Sequence, residues 1–189
     1  LGELAGRILN FYRPTQTART QVDVADLITR TLALAGKQLQ HAHIRLDVNA
    51  TPSVTVYASP DQLIQVFLNL VINAAEAGEG TSQLAIDTRV EGDEVQISFA
   101  DDGPSIAPAN LARIFEPFFT TKPDGTGLGL SVSRDLIEQH GGTLEAVNQT
   151  EQRGVVFIVR LPIYHAHEIA DRSSTCQTRI SAFSNWPTS

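Results

Sequence analysis

Asp124-Gly125-Thr126-Gly127-Leu128-Gly129-Leu130 sets three glycines at alternate positions, directly before a segment with apolar residues at helical spacing. Such a loop brings bare backbone N–H groups up to a polyphosphate, because glycine has no Cβ to hold the ligand away. The same glycines equally suit a turn and a helix cap that bind nothing. Asn69 and Asn73 stand four positions apart, so on a helix they share a face. Their neighbours Leu68, Leu70, Val71 and Ile72 are apolar, and carboxamides in that setting are costly to bury without partners. Bonds to backbone satisfy them, and so does ligation of a hard cation such as Mg²⁺ held with the phosphates it bridges. Asp101 follows an alternating apolar run and precedes Asp102-Gly103-Pro104-Ser105-Ile106. A carboxylate there either receives an exocyclic amine or belongs to an ordinary Asp-Gly turn.

The elements that must carry these groups are legible as periodicities. Leu1, Leu4, Ala5, Ile8, Leu9 and Tyr12 recur at helical spacing up to Pro14, and residues 15–21 read as a polar linker. Asp23 is expected to cap a second helix that buries Leu27, Ile28, Thr31, Leu32, Ala35 and Leu39. Ile44, Leu46 and Val48 alternate as a strand does, and Val54 and Val56 form a shorter one. Ser59-Pro60 opens a helix that carries Leu63, Ile64, Phe67, Leu70, Val71 and Ala74 and closes at Gly78. Leu84 to Val90 and Val95 to Phe99 read as a hairpin joined by Glu91-Gly92-Asp93. A short helix after Pro108, an aromatic segment Phe115 to Phe119, the glycine loop and a helix stopped by Gly141-Gly142 come next. Thr143 to Val147 and Val155 to Leu161 form a last hairpin that Pro162 ends, and residues 164–189 read as a tail or linker.

Strands that pair locally with helices between the pairs give an α/β (α+β) two-layer sandwich: one mixed sheet with helices packed on one face. A doubly wound parallel sheet needs strict βα alternation, which this chain lacks. With 189 residues, 42% of them hydrophobic, the chain suits one domain with a real core and short appendages. A net charge of −7 argues against a nucleic-acid partner. The lone Cys176 forms no internal disulfide, and no apolar run is long enough to span a bilayer. The chain contains no methionine, so Leu1 is expected to lie inside a longer protein.

Five segments occur in a fixed order: Asn69-Leu-Val-Ile-Asn73-Ala, Asp101-Asp-Gly103-Pro-Ser-Ile106, Phe115-Glu-Pro-Phe118-Phe119-Thr-Thr-Lys122, Gly125-Thr-Gly127-Leu-Gly129-Leu130 and Gly154-Val-Val-Phe157. Together they resemble the N, G1, F, G2 and G3 boxes of the catalytic ATP-binding domain of sensor histidine kinases, which share a Bergerat-type fold with gyrase, Hsp90 and MutL. Any one box is a weak signal; five in order are a strong one. The resemblance spans about Val22 to Pro162 and implies a catalytic domain over residues 22–163, with ATP and Mg²⁺ as cofactors.

By this resemblance Asn73 ligates Mg²⁺, Asn69 sits beside the phosphates, and Asp101 accepts the adenine amino group with Gly103 and Ile106 against the base. Phe118 and Phe119 belong to a mobile lid. Thr126, Gly127, Leu128, Gly129 and Leu130 form the phosphate loop, and Lys122 contacts the γ-phosphate. Residues 1–14 resemble the end of a dimerisation and phosphoacceptor helix through Phe11-Tyr12-Arg13-Pro14, which implies a homodimeric parent, although the fragment itself suits a monomer. The implied partners are the phosphoacceptor domain of the same protein and a downstream response regulator, in the cytoplasmic portion of a soluble or membrane-bound sensor.

The phosphoacceptor box itself is missing from the chain, and His167-Glu168 imitates only its first residues. Ser105 replaces a G1 glycine and Val155 a G3 threonine. Glu76 stands where some subfamilies carry lysine; with Phe-Glu-Pro-Phe-Phe-Thr-Thr-Lys it resembles the nitrogen-regulatory type. His41-Ala-His43 and His165-Ala-His167 read as surface histidines, since no Cys or carboxylate cluster completes a metal site. Three functions compete: phosphoryl transfer to a histidine on another domain, ATP hydrolysis of the gyrase or MutL type, and a non-catalytic nucleotide switch. Those hydrolases carry a general-base glutamate where this chain has Asn69, and an amide cannot serve as that base.

Overall fold

The computed structural model describes residues 18–50, 54–78, 82–123, 125–150 and 153–165. The expected N-terminal helix, Asp124, His167, Cys176 and the rest of the expected tail beyond His165 lie outside the described residues.

Among the described residues, seven strands and four helices follow in chain order: β1 (Thr20–Asp23), α1 (Val24–His41), β2 (Ile44–Asn49), β3 (Thr55–Ala58), α2 (Pro60–Ala77), β4 (Ser82–Glu91), β5 (Glu94–Asp101), α3 (Pro108–Leu111), α4 (Gly129–Gln139), β6 (Thr143–Asn148) and β7 (Val155–Pro162). Five strands make one mixed sheet in the order β2-β4-β5-β7-β6, and β1 and β3 pair separately. Within the large sheet only β2 and β4 run parallel. Buried residues alternate with exposed ones along β4 and with half-buried ones along β7, so one face of the sheet meets helices and the other lies toward solvent. This is the expected mixed-sheet sandwich.

Each helix is built as its sequence dictates. Asp23 accepts a hydrogen bond from the Asp26 N–H at 3.1 Å and caps α1, whose buried stripe is Val24, Leu27, Ile28, Thr31, Ala35 and Leu39. Pro60 supplies the first turn of α2, where no intrahelical N–H partner exists to be lost. Leu63, Ile64, Phe67, Leu70, Val71 and Ala74 of α2 are buried, and the Phe67 ring tilts against Phe99 of β5 with centroids 5.4 Å apart. Helix α4 ends in a Schellman motif: Gly141 N–H donates to Glu138 O at 2.9 Å and Gly142 N–H to Ile137 O at 3.0 Å, with Gly141 at φ +77°.

Three expectations need correction. β2 and β3 do not pair with each other. β2 joins the sheet beside β4, after a crossover through α2, and β3 pairs antiparallel with β1. Alternation fixes which face a residue occupies, not which strand lies beside it. Thr20 and Gln21, assigned to a linker, open β1 opposite Ala58 and Tyr57. Tyr164, assigned to a tail, donates its N–H to Thr55 O at 2.8 Å, and its ring meets that of Tyr57 with centroids 5.9 Å apart. The folded body therefore includes a small second ribbon, joined to the chain just past β7 by an isolated bridge between Val56 and Ile163. Among the described residues no helix is long and apolar enough to cross a membrane.

Candidate functional site

At the end of β5, Asp101 is only 5% exposed. Burial raises its carboxyl pKa above the ordinary 3.8; bonds from the Gly103 and Val155 amides pull it back, and neighbouring Asp102 pushes it further up. The Gly103 N–H donates to Asp101 Oδ1 at 3.0 Å. A Cβ on Gly103 would meet that oxygen at 3.0 Å and Ala77 Cβ at 3.1 Å, so glycine lets the loop lie against the last turn of α2. On the other side Gly154, at φ +124°, approaches so closely that a Cβ would sit 1.9 Å from Asp101 O. The Gln149 side chain donates to that same carbonyl oxygen at 2.7 Å.

The loop after Asp101 is clamped by Asn148, which sequence reasoning missed, and by Ser105. Asn148, at the end of β6, accepts from the Ile106 N–H at 2.9 Å and donates to the Ile106 carbonyl at 2.7 Å. The Ser105 hydroxyl accepts from the Gly154 N–H at 3.3 Å. A glycine at 105 would lack that acceptor, so the serine in the G1 segment ties it to the G3 segment.

Helix α2 carries the other half of the site. Asn69 Nδ2 donates to Ser133 Oγ on α4 at 3.0 Å. A Cβ on Gly129 would lie 2.6 Å from Asn69 Oδ1, so the glycine lets the start of α4 approach the carboxamide. No side chain caps that start; the Leu128 N–H meets Thr126 Oγ1 at 3.4 Å. The first N–H groups of a helix have no intrahelical partner and carry partial positive charge, which makes this a ready anion site. One turn beyond Asn69, Asn73 Oδ1 accepts from Lys122 Nζ at 3.0 Å, and Lys122 also meets Glu76 Oε2 at 2.5 Å.

Between the halves lies the aromatic segment. Phe118 has φ +66°, is 75% exposed and donates its N–H to Gly127 O at 2.9 Å. Gly127 mirrors it at φ +68°, where a Cβ would sit 2.4 Å from the Phe118 carbonyl carbon. Phe119 instead packs against the core, with the Arg113 guanidinium 4.5 Å from its ring centre. Arg134 stacks 3.6 Å over Phe115 and so fixes the start of the segment to α4. The two phenylalanines expected to share a lid thus differ: Phe119 anchors it and Phe118 stands in solvent. Leu130 and Ile106 are partly buried against the core. A cavity of about 260 Å³ opens beside Glu76, Lys122, Pro123 and Gly125.

The described residues hold no cluster of three His, Cys, Asp or Glu side chains able to retain a metal unaided. The oxygen of Asn73, next to the Glu76 carboxylate and already accepting from an ammonium, suits instead a hard cation that arrives with a polyphosphate and keeps most of its other ligands.

Residues 58–165 match the family described as histidine kinase-, DNA gyrase B-, and HSP90-like ATPase. The sensor histidine kinase ZraS of Salmonella typhimurium is 38% identical over 165 residues, covering 86% of this chain and 35% of that protein. The two-component sensor PprA of Pseudomonas aeruginosa is 44% identical over 143 residues, covering 70% of this chain and 15% of that protein. The chain thus spans about a third or less of the length of these relatives. Among solved structures, the nucleotide-free catalytic domain of histidine kinase ThkA superposes with a TM-score of 0.70 at 34% identity, covering 76% of this chain and 95% of that domain. ThkA in complex with the response regulator protein TrrA gives 0.71 at 29% identity, covering 86% of this chain and 49% of that one.

Proposed function

The chain belongs to the histidine kinase-, DNA gyrase B-, and HSP90-like ATPase family as a catalytic ATP-binding domain of the sensor histidine kinase kind, and from that premise we propose how its residues work. The domain binds ATP with Mg²⁺ and presents the γ-phosphoryl group to a histidine on a separate phosphoacceptor domain of the same protein, from which a response regulator takes it. The parent is a homodimeric sensor whose cytoplasmic portion includes this domain. Glu76 and the Phe115-Glu-Pro-Phe118-Phe119-Thr-Thr-Lys122 segment support a nitrogen-regulatory subtype.

The observation that carries this reading is the course of α2. Its last turn packs on Gly103 beside the buried Asp101, while Asn69 and Asn73, up to two turns earlier, face the glycine start of α4 and Lys122. One helix therefore runs from the buried Asp101 carboxylate beside its last turn to the glycine start of α4 beside its middle. Asp101 accepts the exocyclic amine of adenine, and the loop clamped by Asn148 keeps Gly103 and Ile106 against the base. The backbone N–H groups at Gly129 and Leu130 receive the phosphates. Asn73 Oδ1 would hold Mg²⁺ together with phosphate oxygens. Held there, it would supply charge neutralisation to the triphosphate. Lys122 reaches the γ-phosphate from the lid.

The incoming imidazole is the nucleophile, so this domain contributes position and charge compensation more than covalent chemistry. Asn69 donates to Ser133 and offers no base to water, which favours transfer over hydrolysis. Titration with a non-hydrolysable ATP analogue, with and without Mg²⁺, tests the reading. Binding strengthened by Mg²⁺ is expected, and no binding at millimolar nucleotide refutes it. Phosphate transfer from labelled ATP to an added phosphoacceptor domain then separates a kinase from a passive switch.

A further inference from the structure

Glu76 is given no task by the chemistry above, and Lys122 is bonded to two side chains of α2. Glu76 lies three positions beyond Asn73 on the same face of α2. Lys122 reaches across from the lid, its Nζ 3.0 Å from Asn73 Oδ1 and 2.5 Å from Glu76 Oε2. In this conformation an ammonium occupies the oxygen corner that a hard cation needs. The Lys122 backbone is also the hub of the lid turn. Its N–H donates to Thr120 Oγ1 at 3.1 Å, and its carbonyl accepts from the Gly125 N–H at 3.1 Å. Where the lysine side chain is held, the entry to the glycine loop is held with it. The pair is half exposed, with side chains 43% and 54% accessible, so it is weak and open to salt. That strength suits a catch that must release.

We propose that Glu76 and Lys122 form a latch that keeps the lid in a resting position, with the lysine ammonium standing in for the metal on Asn73. A Mg²⁺-bearing triphosphate displaces the ammonium from Asn73 and turns it toward the γ-phosphate. Glu76 acts here as a positioning residue for Lys122. The inference rests on the ATP-site reading.

Hydrogen exchange on the nucleotide-free protein tests it, read at the bonded amides of Phe118, Lys122 and Gly125. Glu76→Gln and Lys122→Met should each speed exchange roughly two- to fivefold, as loss of an exposed ion pair implies. The double variant should exceed neither single variant. Raised salt should reproduce the effect in the unmodified protein and add little in the variants. Saturating Mg²⁺ with a non-hydrolysable ATP analogue should erase the difference between the unmodified protein and Glu76→Gln, because the ammonium has then left its resting partners. Unchanged exchange in both single variants, or effects that multiply in the double one, would overturn the latch. Analogue binding measured on the same samples keeps the two ideas apart. Binding with unaltered exchange removes the latch and leaves the site standing. Failure to bind removes the site, while the exchange series still decides whether the pair restrains the lid.

Discussion

Asp101→Asn separates affinity from stability. The carboxylate is assigned the adenine amino group, and a hydrogen bond to a charged acceptor contributes about 1.5–3 kcal/mol. Asparagine keeps an oxygen for the Gly103 N–H but presents a neutral, weaker acceptor to the base. ATP-analogue affinity should fall roughly ten- to hundredfold by calorimetric titration. Stability should move the other way. Burial raises the Asp101 pKa in the fold, so the unfolded chain ionises first as pH rises. The stability this group contributes is therefore complete below its ordinary pKa of about 4 and lost as pH rises through the folded value. At neutral pH the variant escapes that loss, and its melting temperature should hold or rise; near pH 3 the advantage should vanish. Preference for ATP over GTP should also narrow, since an amide can donate to the guanine oxygen and a carboxylate cannot. Unchanged affinity would refute the assignment. A fall in affinity accompanied by a lower melting temperature would show that Asp101 serves the fold rather than the base.

Three further outcomes follow from the geometry. Gly127→Ala forces a side chain into φ +68° against the Phe118 carbonyl and should cost about 1–3 kcal/mol in thermal or denaturant unfolding, whereas Gly129→Ala, which crowds the movable Asn69 amide, should weaken nucleotide binding more than it lowers stability. Asn73→Ala should abolish the strengthening of nucleotide binding by Mg²⁺ while weak metal-free binding survives; retained Mg²⁺ dependence would move the metal elsewhere. His140 donates from Nδ1 to Leu136 O at 2.7 Å and accepts the Ser59 N–H on Nε2 at 3.0 Å, and burial, opposed by the Leu136 bond and aided by Arg19, lowers its pKa. Its contribution is complete above about pH 6.5 and declines as pH falls toward the folded value, so melting temperature should drop on acidification and the slope should flatten in His140→Gln.

What the sequence made legible is what acts through local pattern. Periodicity found the buried faces of α1 and α2, because a helix repeats its surface every few residues whatever it packs against. The glycine loop and Asp101 stood out in the sequence because the chemistry proposed for them depends on residue type within a short window. The pairing of β3 with β1 was not, since strand alternation carries no address for the partner and β1 is only four residues long. Asn148, Ser133 and His140 were missed for a related reason. Each acts by satisfying a group distant in sequence: the Ile106 backbone, the Asn69 amide and the Ser59 N–H. A polar side chain at a strand end or on a helix gives no local sign that its partner lies far along the chain. Two of these ties act on α2: Ser59 leads into its first turn and Asn69 lies midway, and both join it to α4. The residues of the proposed nucleotide site therefore depend for their spacing on residues with no motif of their own. Variants at Ser133 or His140 should perturb that spacing without touching the nucleotide.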